Sequence, residues 1–476
     1  MGYINMKKFN KEKYLKVLKF KKYKRYLYIG IPCILVLLIG IYFAYSKFSV
    51  FKEEEVVRTT VGDFISGDAV IGAYIDGEYS KTIPGKNDGY IVDKIVCDND
   101  ATASWDNNSW GIVLTNLTKR TKCNVYFEKY SNAKVFADLA KTDTVNLATD
   151  DVDNNVRYIG ANPSNYVYFN CSDYNNPTAD TCELWRIIGV FNNVTKGDGS
   201  KENLVKIIRD ESIGNYSWDY KNSGVGTSTT DYGSGSNDWS DSQLMMMLNP
   251  TNYLKSGYTN SSDIISSGSQ QLYSKMGSYY NGTKGCKPKA VESGASFSCT
   301  EVDFTATGLK NDATRNTIEE VVWNLGGTNT YNTSSNGLAS HWYGYERGTA
   351  VYTGRPTTWT GKIGLMYPSD YGYATSGGTT KDRAACLAKE LYNWASSDFS
   401  DCKGNDYLLD TNNYQWTLAP ASANARIVFV VGRDGYVGGG SAYGTSAVRP
   451  ALFLKSNIQV DKGTGEKSNP YTLKMQ

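Results

Sequence analysis

The 476-residue chain has a single histidine, His341, in Ser340-His341-Trp342-Tyr343. A Ser-His-Asp or Cys-His hydrolase would have to use it. No G-x-S-x-G elbow accompanies it, so it reads as a lone surface residue in a loop. No two of the nine cysteines have C-x₂-C spacing, and with one histidine that removes the usual zinc ligand sets. Neither a metal nor a cofactor is expected. Glu319-Glu320 offers paired carboxylates for a glycosidase, but adjacent residues on a helix point in different directions, which makes them surface charges. Internal repeats are lacking too. With no active site in view, an enzyme is the less favoured reading.

What is abundant is Tyr (37) and Gly (46), with Asn, Ser and Thr, against only 21 % charged residues. That mixture suits an exported bacterial surface protein with hydrogen-bonding surfaces and many turns. The overall charge of +2 hides an asymmetry: residues 1–25 carry +9, so residues 26–476 carry −7. An acidic body argues against nucleic acid as a partner.

Residues 26–45 are uncharged and mostly Ile, Leu, Val and aromatic; as a helix they would reach about 30 Å, one hydrocarbon core. Residues 1–25 then form a basic cytoplasmic tail and place the C-terminus outside, a single-pass type II topology at the cell membrane. Cleavage as a signal peptide is the rival, because Ala44 and Ser46 satisfy a small-x-small rule. Residues 46–58 read as a polar stalk. Residues 59–130 form a small β module of five or six strands, a spacer or an immunoglobulin-like unit, by their alternation and turns such as Asp76-Gly77.

The large domain spans 131–476. Ser131–Lys141 reads as a connecting helix, followed by strands at Tyr166–Phe169, Leu184–Phe191 and Leu204–Arg209. Ser240 to Gln243 is a capping-box pattern ahead of a helix whose Leu244, Met245, Met246 and Leu248 are core. Further helices are expected over Asp312–Leu325, stopped by Gly326-Gly327, and over Lys381–Ser396. Near the end, Ile427–Val431 is a strand and Asp434-Gly435 a hairpin-type turn. Gly438–Gly440 and Tyr443-Gly444 read as loop, and Ala447–Leu454 as a returning strand around Arg449-Pro450. Arg449 reads as a structural ion-pair residue.

The order Trp416, apolar strand, Asp-Gly turn, Gly/Tyr loop and Val448-Arg449-Pro450-Ala451-Leu452 resembles the C-terminal hairpin of the C-type lectin-like fold. The branch it looks most like is that of formylglycine-generating enzymes (sulfatase-modifying factors) and bacterial surface proteins of unknown function. Leu184-Trp185-Arg186-Ile187-Ile188, Asp238-Trp239-Ser240 and Gly361-Lys362-Ile363-Gly364-Leu365 follow that family's order. The resemblance implies an α+β class: a C-type lectin-like head, preceded by the small all-β module and one N-terminal transmembrane helix. The E-P-N, Q-P-D and W-N-D signatures of calcium-dependent lectins are lacking. The reactive cysteine pair of the formylglycine-generating enzymes has no residue-by-residue match either.

Eight cysteines lie outside the apolar span, an even count that fits an oxidising exterior. Proximity in the chain couples Cys97 with Cys123, Cys171 with Cys182, Cys286 with Cys299, and Cys386 with Cys402. The functional expectation is a membrane-anchored cell-surface protein whose extracellular head binds a glycan, peptide or protein. A cell-wall or glycan-acting enzyme and a structural envelope component are the alternatives. The candidate ligand contacts are Trp416, Asp434, Tyr436, Ser441 and Tyr443, on and beside the C-terminal hairpin loop, because loops on a rigid scaffold carry function and Tyr gives large contact area.

Overall fold

The computed structural model describes residues 69–86, 88–115, 120–219, 235–249, 284–287, 300–303, 309, 312–329, 337–377 and 382–474. The chain divides into two compact units, Met1–Lys129 and Tyr130–Gln476.

In the first unit, β1 (Ala69–Ile75), β2 (Glu78–Ser80), β3 (Tyr90–Cys97) and β6 (Thr121–Lys129) form one sheet in the order β2-β1-β6-β3. β4 (Thr102–Asp106) and β5 (Gly111–Thr115) form a separate hairpin. Alternation does its ordinary work here: Cys123, Val125 and Phe127 of β6 point inward. The Trp105 and Trp110 rings stand edge-on to each other at 5.3 Å, and Phe127 packs against both. Cys97 and Cys123, opposite each other in the β3–β6 register, form a disulfide. The immunoglobulin-like expectation is corrected. An immunoglobulin sandwich faces two antiparallel sheets, whereas here β1 runs parallel to β6 in a single four-stranded sheet beside one hairpin.

The second unit opens with helix α1 (Asn132–Leu139), then β7 (Leu147–Ala148), β8 (Val156–Tyr158), β9 (Tyr166–Phe169), β10 (Glu183–Thr195), β11 (Lys201–Arg209) and β12 (Asn215–Ser217). A 3-10 turn at Trp239–Asp241 leads into α2 (Gln243–Leu248), and Ser242 caps that helix by accepting from the Met245 N–H. β13 (Lys284–Lys287) pairs with β14 (Thr300–Asp303). α3 (Asp312–Asn316), β15 (Val321–Asn324), α4 (Ala339–Glu346), β16 (Thr358–Gly361), β17 (Ile363–Gly364), α5 (Pro368–Ala374), α6 (Arg383–Leu387) and α7 (Ser400–Gly404) follow. The last strands are β18 (Gln415–Pro420), β19 (Ile427–Val431), β20 (Val437–Ser441), β21 (Thr445–Ala447), β22 (Ala451–Phe453), β23 (Gln459–Lys462) and β24 (Thr472–Lys474).

Two sheets organise this unit. One runs β17-β22-β11-β10-β8-β7 with β9 also on β10, and the other runs β12-β21-β18-β19-β20. β10 and β11 are the longest pair, and two bulges let the hairpin twist. Gly189 in β10 is where β8 crosses closely: a Cβ there would lie 1.9 Å from the Val156 carbonyl oxygen. The core is heavily aromatic, with Trp185, Trp218, Trp239, Trp323, Trp342, Trp394 and Trp416 all buried.

The α+β expectation is corrected to a mainly β architecture. Among the described residues the longest helices, α1 and α4, have eight residues each. None is long and apolar enough to cross a membrane. Residues 26–45, where the transmembrane helix was expected, lie outside the described residues, as do the cytoplasmic tail and the stalk.

Several local expectations are corrected as well. The helix expected over Asp312–Leu325 stops at Asn316, and Val321–Asn324 is a strand that pairs with Thr358–Gly361 and buries Trp323. Two valines and a tryptophan suit a pleated surface better than a helix. The helix over Lys381–Ser396 divides into α6 and a 3-10 segment at Leu391–Ala395. Gly438–Gly440 is strand, paired with Val428–Val430. The glycines make room for rings: a Cβ on Gly438 would strike Tyr436 at 2.3 Å, and one on Gly440 would crowd Trp416 at 3.2 Å. The returning segment also divides, β21 staying in the second sheet while β22 crosses to the first.

Candidate functional site

The Asp434-Gly435 turn joins β19 to β20, and Gly435 adopts φ +94°, a conformation that favours glycine. The turn is fastened from two sides. Lys403 Nζ donates to the Asp434 carbonyl at 2.7 Å and to the Ala395 carbonyl at 3.1 Å, while the buried Tyr371 hydroxyl donates to the Gly435 carbonyl at 2.9 Å. Tyr436 leaves the turn and meets two more rings edge-on, Tyr392 at 5.9 Å and Tyr414 at 6.4 Å. Tyr414 is 39 % exposed, and Arg433 lies 5.9 Å from its ring. Burial, followed by the neighbouring Tyr414, pushes the Tyr436 hydroxyl up to about 12. That phenol therefore stays neutral near pH 7 and can both donate and accept. The patch offers ring faces and edges, phenolic hydroxyls, a cation at Arg433 and the exposed carboxylate of Asp434. These groups can stack, donate and accept hydrogen bonds, and pair with charge.

The five residues expected to contact ligand do not share one surface. Asp434 and Tyr436 stand at the turn. Ser441 closes the far end of β20, and Tyr443, 44 % exposed, lies in the next turn, where its carbonyl accepts from Ser217 Oγ at 2.8 Å. Five strand residues separate the two tyrosines by roughly 17 Å. Trp416 is core: it is 2 % exposed, and its indole N–H donates to the Tyr216 carbonyl at 2.8 Å. Tyr392 and Tyr414 escaped sequence reasoning, because they join Tyr436 only through folding. A shallow surface depression beside Trp218, Trp239 and Arg355 encloses no room for a small molecule.

Arg449 is structural, though not through an ion pair. Its guanidinium donates to the carbonyls of Arg209 (2.8 Å) and Leu408 (3.2 Å) and to Gln415 Oε1 (3.2 Å), where the chain passes between the sheets. His341 sits exposed on α4 rather than in a loop. Cys171–Cys182 and Cys386–Cys402 form disulfides; Cys299 lies outside the described residues, and with it the Cys286 pairing.

A second constellation, unforeseen in the sequence, is a buried charge network. Arg157 bridges Asp151 Oδ2 (2.8 Å) and Asp370 Oδ1 (2.7 Å), while Lys206 Nζ reaches Asp370 Oδ2 at 2.6 Å. Burial opposes ionisation of Asp370, but Lys206 and Arg157 hold its carboxyl below the usual range. Burial lowers Lys206. Glu346, fully buried, accepts from the Ser369 N–H and hydroxyl and pairs with Arg347 at 3.3 Å. Desolvation nevertheless pushes it up to about 7. The signal was a charge inside an apolar run, as with Lys206 in Leu204-Val205-Lys206-Ile207-Ile208.

No protein family, curated protein or solved structure matches the chain. The C-type lectin-like resemblance therefore stands on the sequence motifs alone.

Proposed function

We propose that the chain is a bacterial cell-surface protein whose large unit captures an extracellular glycan, peptide or protein at the Tyr392–Tyr414–Tyr436 patch. The observation that carries this reading is the convergence of three tyrosine rings on a turn pinned by Lys403 and Tyr371. A preorganised aromatic surface binds at low entropic cost, since the rings need little further ordering. Two features support an extracellular setting: the net +9 of residues 1–25 against −7 in the rest, and the disulfides of both units.

The test is a glycan and protein array probed with the full chain, followed by Tyr414→Ala and Tyr436→Ala. Both variants should lose capture at least about tenfold, a change of roughly 1.4 kcal/mol. Tyr414→Ala, at an exposed ring, should keep the parent's melting temperature, while Tyr436→Ala, which uncovers Gly432 and Gly438, should lower it without unfolding the chain. Tyr443→Ala, on the far turn, should bind like the parent. Full capture by both patch variants would sink the proposal.

A further inference from the structure

Lys206 lies in the middle of β11 and Asp370 on α5, 164 residues further on, with both side chains at 0 % exposure. Around the ammonium stand the rings of Tyr367 (4.4 Å), Trp323 (5.2 Å), Phe191 (5.4 Å) and Phe453 (5.6 Å). A walled amine touching a carboxyl group has two stable ends: a buried ion pair, or the amide that the two groups form by losing water.

We propose that Lys206 and Asp370 condense into an intramolecular isopeptide bond that ties β11 to α5. The Nζ–Cγ bond forms and the Cγ–Oδ2 bond breaks. Of the three ammonium protons, two depart with Oδ2 as water and one remains as the amide N–H, so no other reactant is consumed. The first step is a proton shift from Nζ to Oδ2 across the 2.6 Å contact. It yields a free amine and a neutral acid side by side; desolvation favours that pair, while the Lys206 and Arg157 contacts keep the ion pair the more populated form.

Arg157 acts in both directions. On Oδ1 at 2.7 Å it holds the carboxylate ionised and so opposes the proton shift. The same contact places a cation on the oxygen that becomes negative in the tetrahedral intermediate. The bond is therefore expected to form slowly, after folding has set the two groups in place. Charge balance is preserved in the product: condensation removes one cation and one anion together and leaves Arg157 with Asp151 and Arg347 with Glu346, one carboxyl group to each guanidinium.

The experiment is mass spectrometry of the full chain after disulfide reduction, with a tryptic map. The intact mass should fall short of the sequence mass by one water. The map should contain a branched peptide joining the Lys206 and Asp370 segments, uncleaved after Lys206. Lys206→Met should restore the full mass. A full-mass chain with complete cleavage after Lys206 would make the pair an ion pair only, and loss of water without the branched peptide would overturn the proposal equally. Should Lys206→Met fail to fold, the map of the parent chain decides alone.

Discussion

Glu346 makes the stability of the large unit depend on pH in a direction opposite to that of an ordinary surface carboxylate. In the unfolded chain it titrates near 4.5, and in the folded protein burial carries it up to about 7. Between those values the native state binds the proton more tightly than the unfolded state, so stability falls as pH rises through that window. The contribution is complete below pH 4.5 and gone above about pH 7. A gap of two to three pH units corresponds to roughly 3 kcal/mol. Desolvation leads the shift, while Arg347 and the Ser369 hydrogen bonds oppose it. Asp370 is a lesser cause, so the effect persists whatever its charge. Glu346→Gln keeps the size of the side chain and an acceptor for the Ser369 N–H but cannot ionise. Urea unfolding at several pH values between about 4.5 and 7.5 should show the parent losing about 3 kcal/mol relative to the variant across that range. Parallel curves for the two proteins would refute the reasoning.

Gly189→Ala should destabilise the large unit by about 3 kcal/mol or more, because the new Cβ meets the Val156 carbonyl at 1.9 Å and backbone cannot yield as a side chain does; a melting temperature equal to the parent's would show that the strands cross more loosely than this distance implies. Trp416→Phe should cost about 1 kcal/mol or more, from the lost hydrogen bond to the Tyr216 carbonyl and the smaller ring. The same variant should leave array binding intact, since Trp416 is core and does not face the tyrosine patch; selective loss of binding would return it to the ligand face.

What could be read along the chain was whatever depends on near neighbours. The β19 strand and the Asp434-Gly435 turn follow from a β-branched run and a dipeptide, and both are present. The cap expected at Ser240 falls instead on Ser242, because Ser240 is taken up in the 3-10 turn Trp239–Asp241. Val321–Asn324 was misread because a helical start at Asp312 invites continuation, and only the partner strand at Thr358–Gly361 decides otherwise. Gly438–Gly440 misled for a related reason. Glycine triplets usually mark loops, but here the missing side chains are replaced from outside by the rings of Tyr436 and Trp416.

The chemistry is long-range in the same sense, and that is why it was invisible. Asp370 stands 213 residues from Arg157 and 164 from Lys206. No spacing rule connects them, whereas metal and nucleophile motifs were searchable because their residues lie close in sequence. The usable signal is the inverse of a motif: a lysine or arginine where alternation demands an apolar residue, as at Lys206 and Arg157. An unpaired charge there would cost several kcal/mol, so each such residue implies a carboxyl partner elsewhere in the chain. The partner must then come from a segment that folding buries against the strand, which narrows the search to apolar helices such as Pro368–Ala374, whose only carboxylate is Asp370. On that reasoning the pairing was deducible in kind, and only its geometry required the fold.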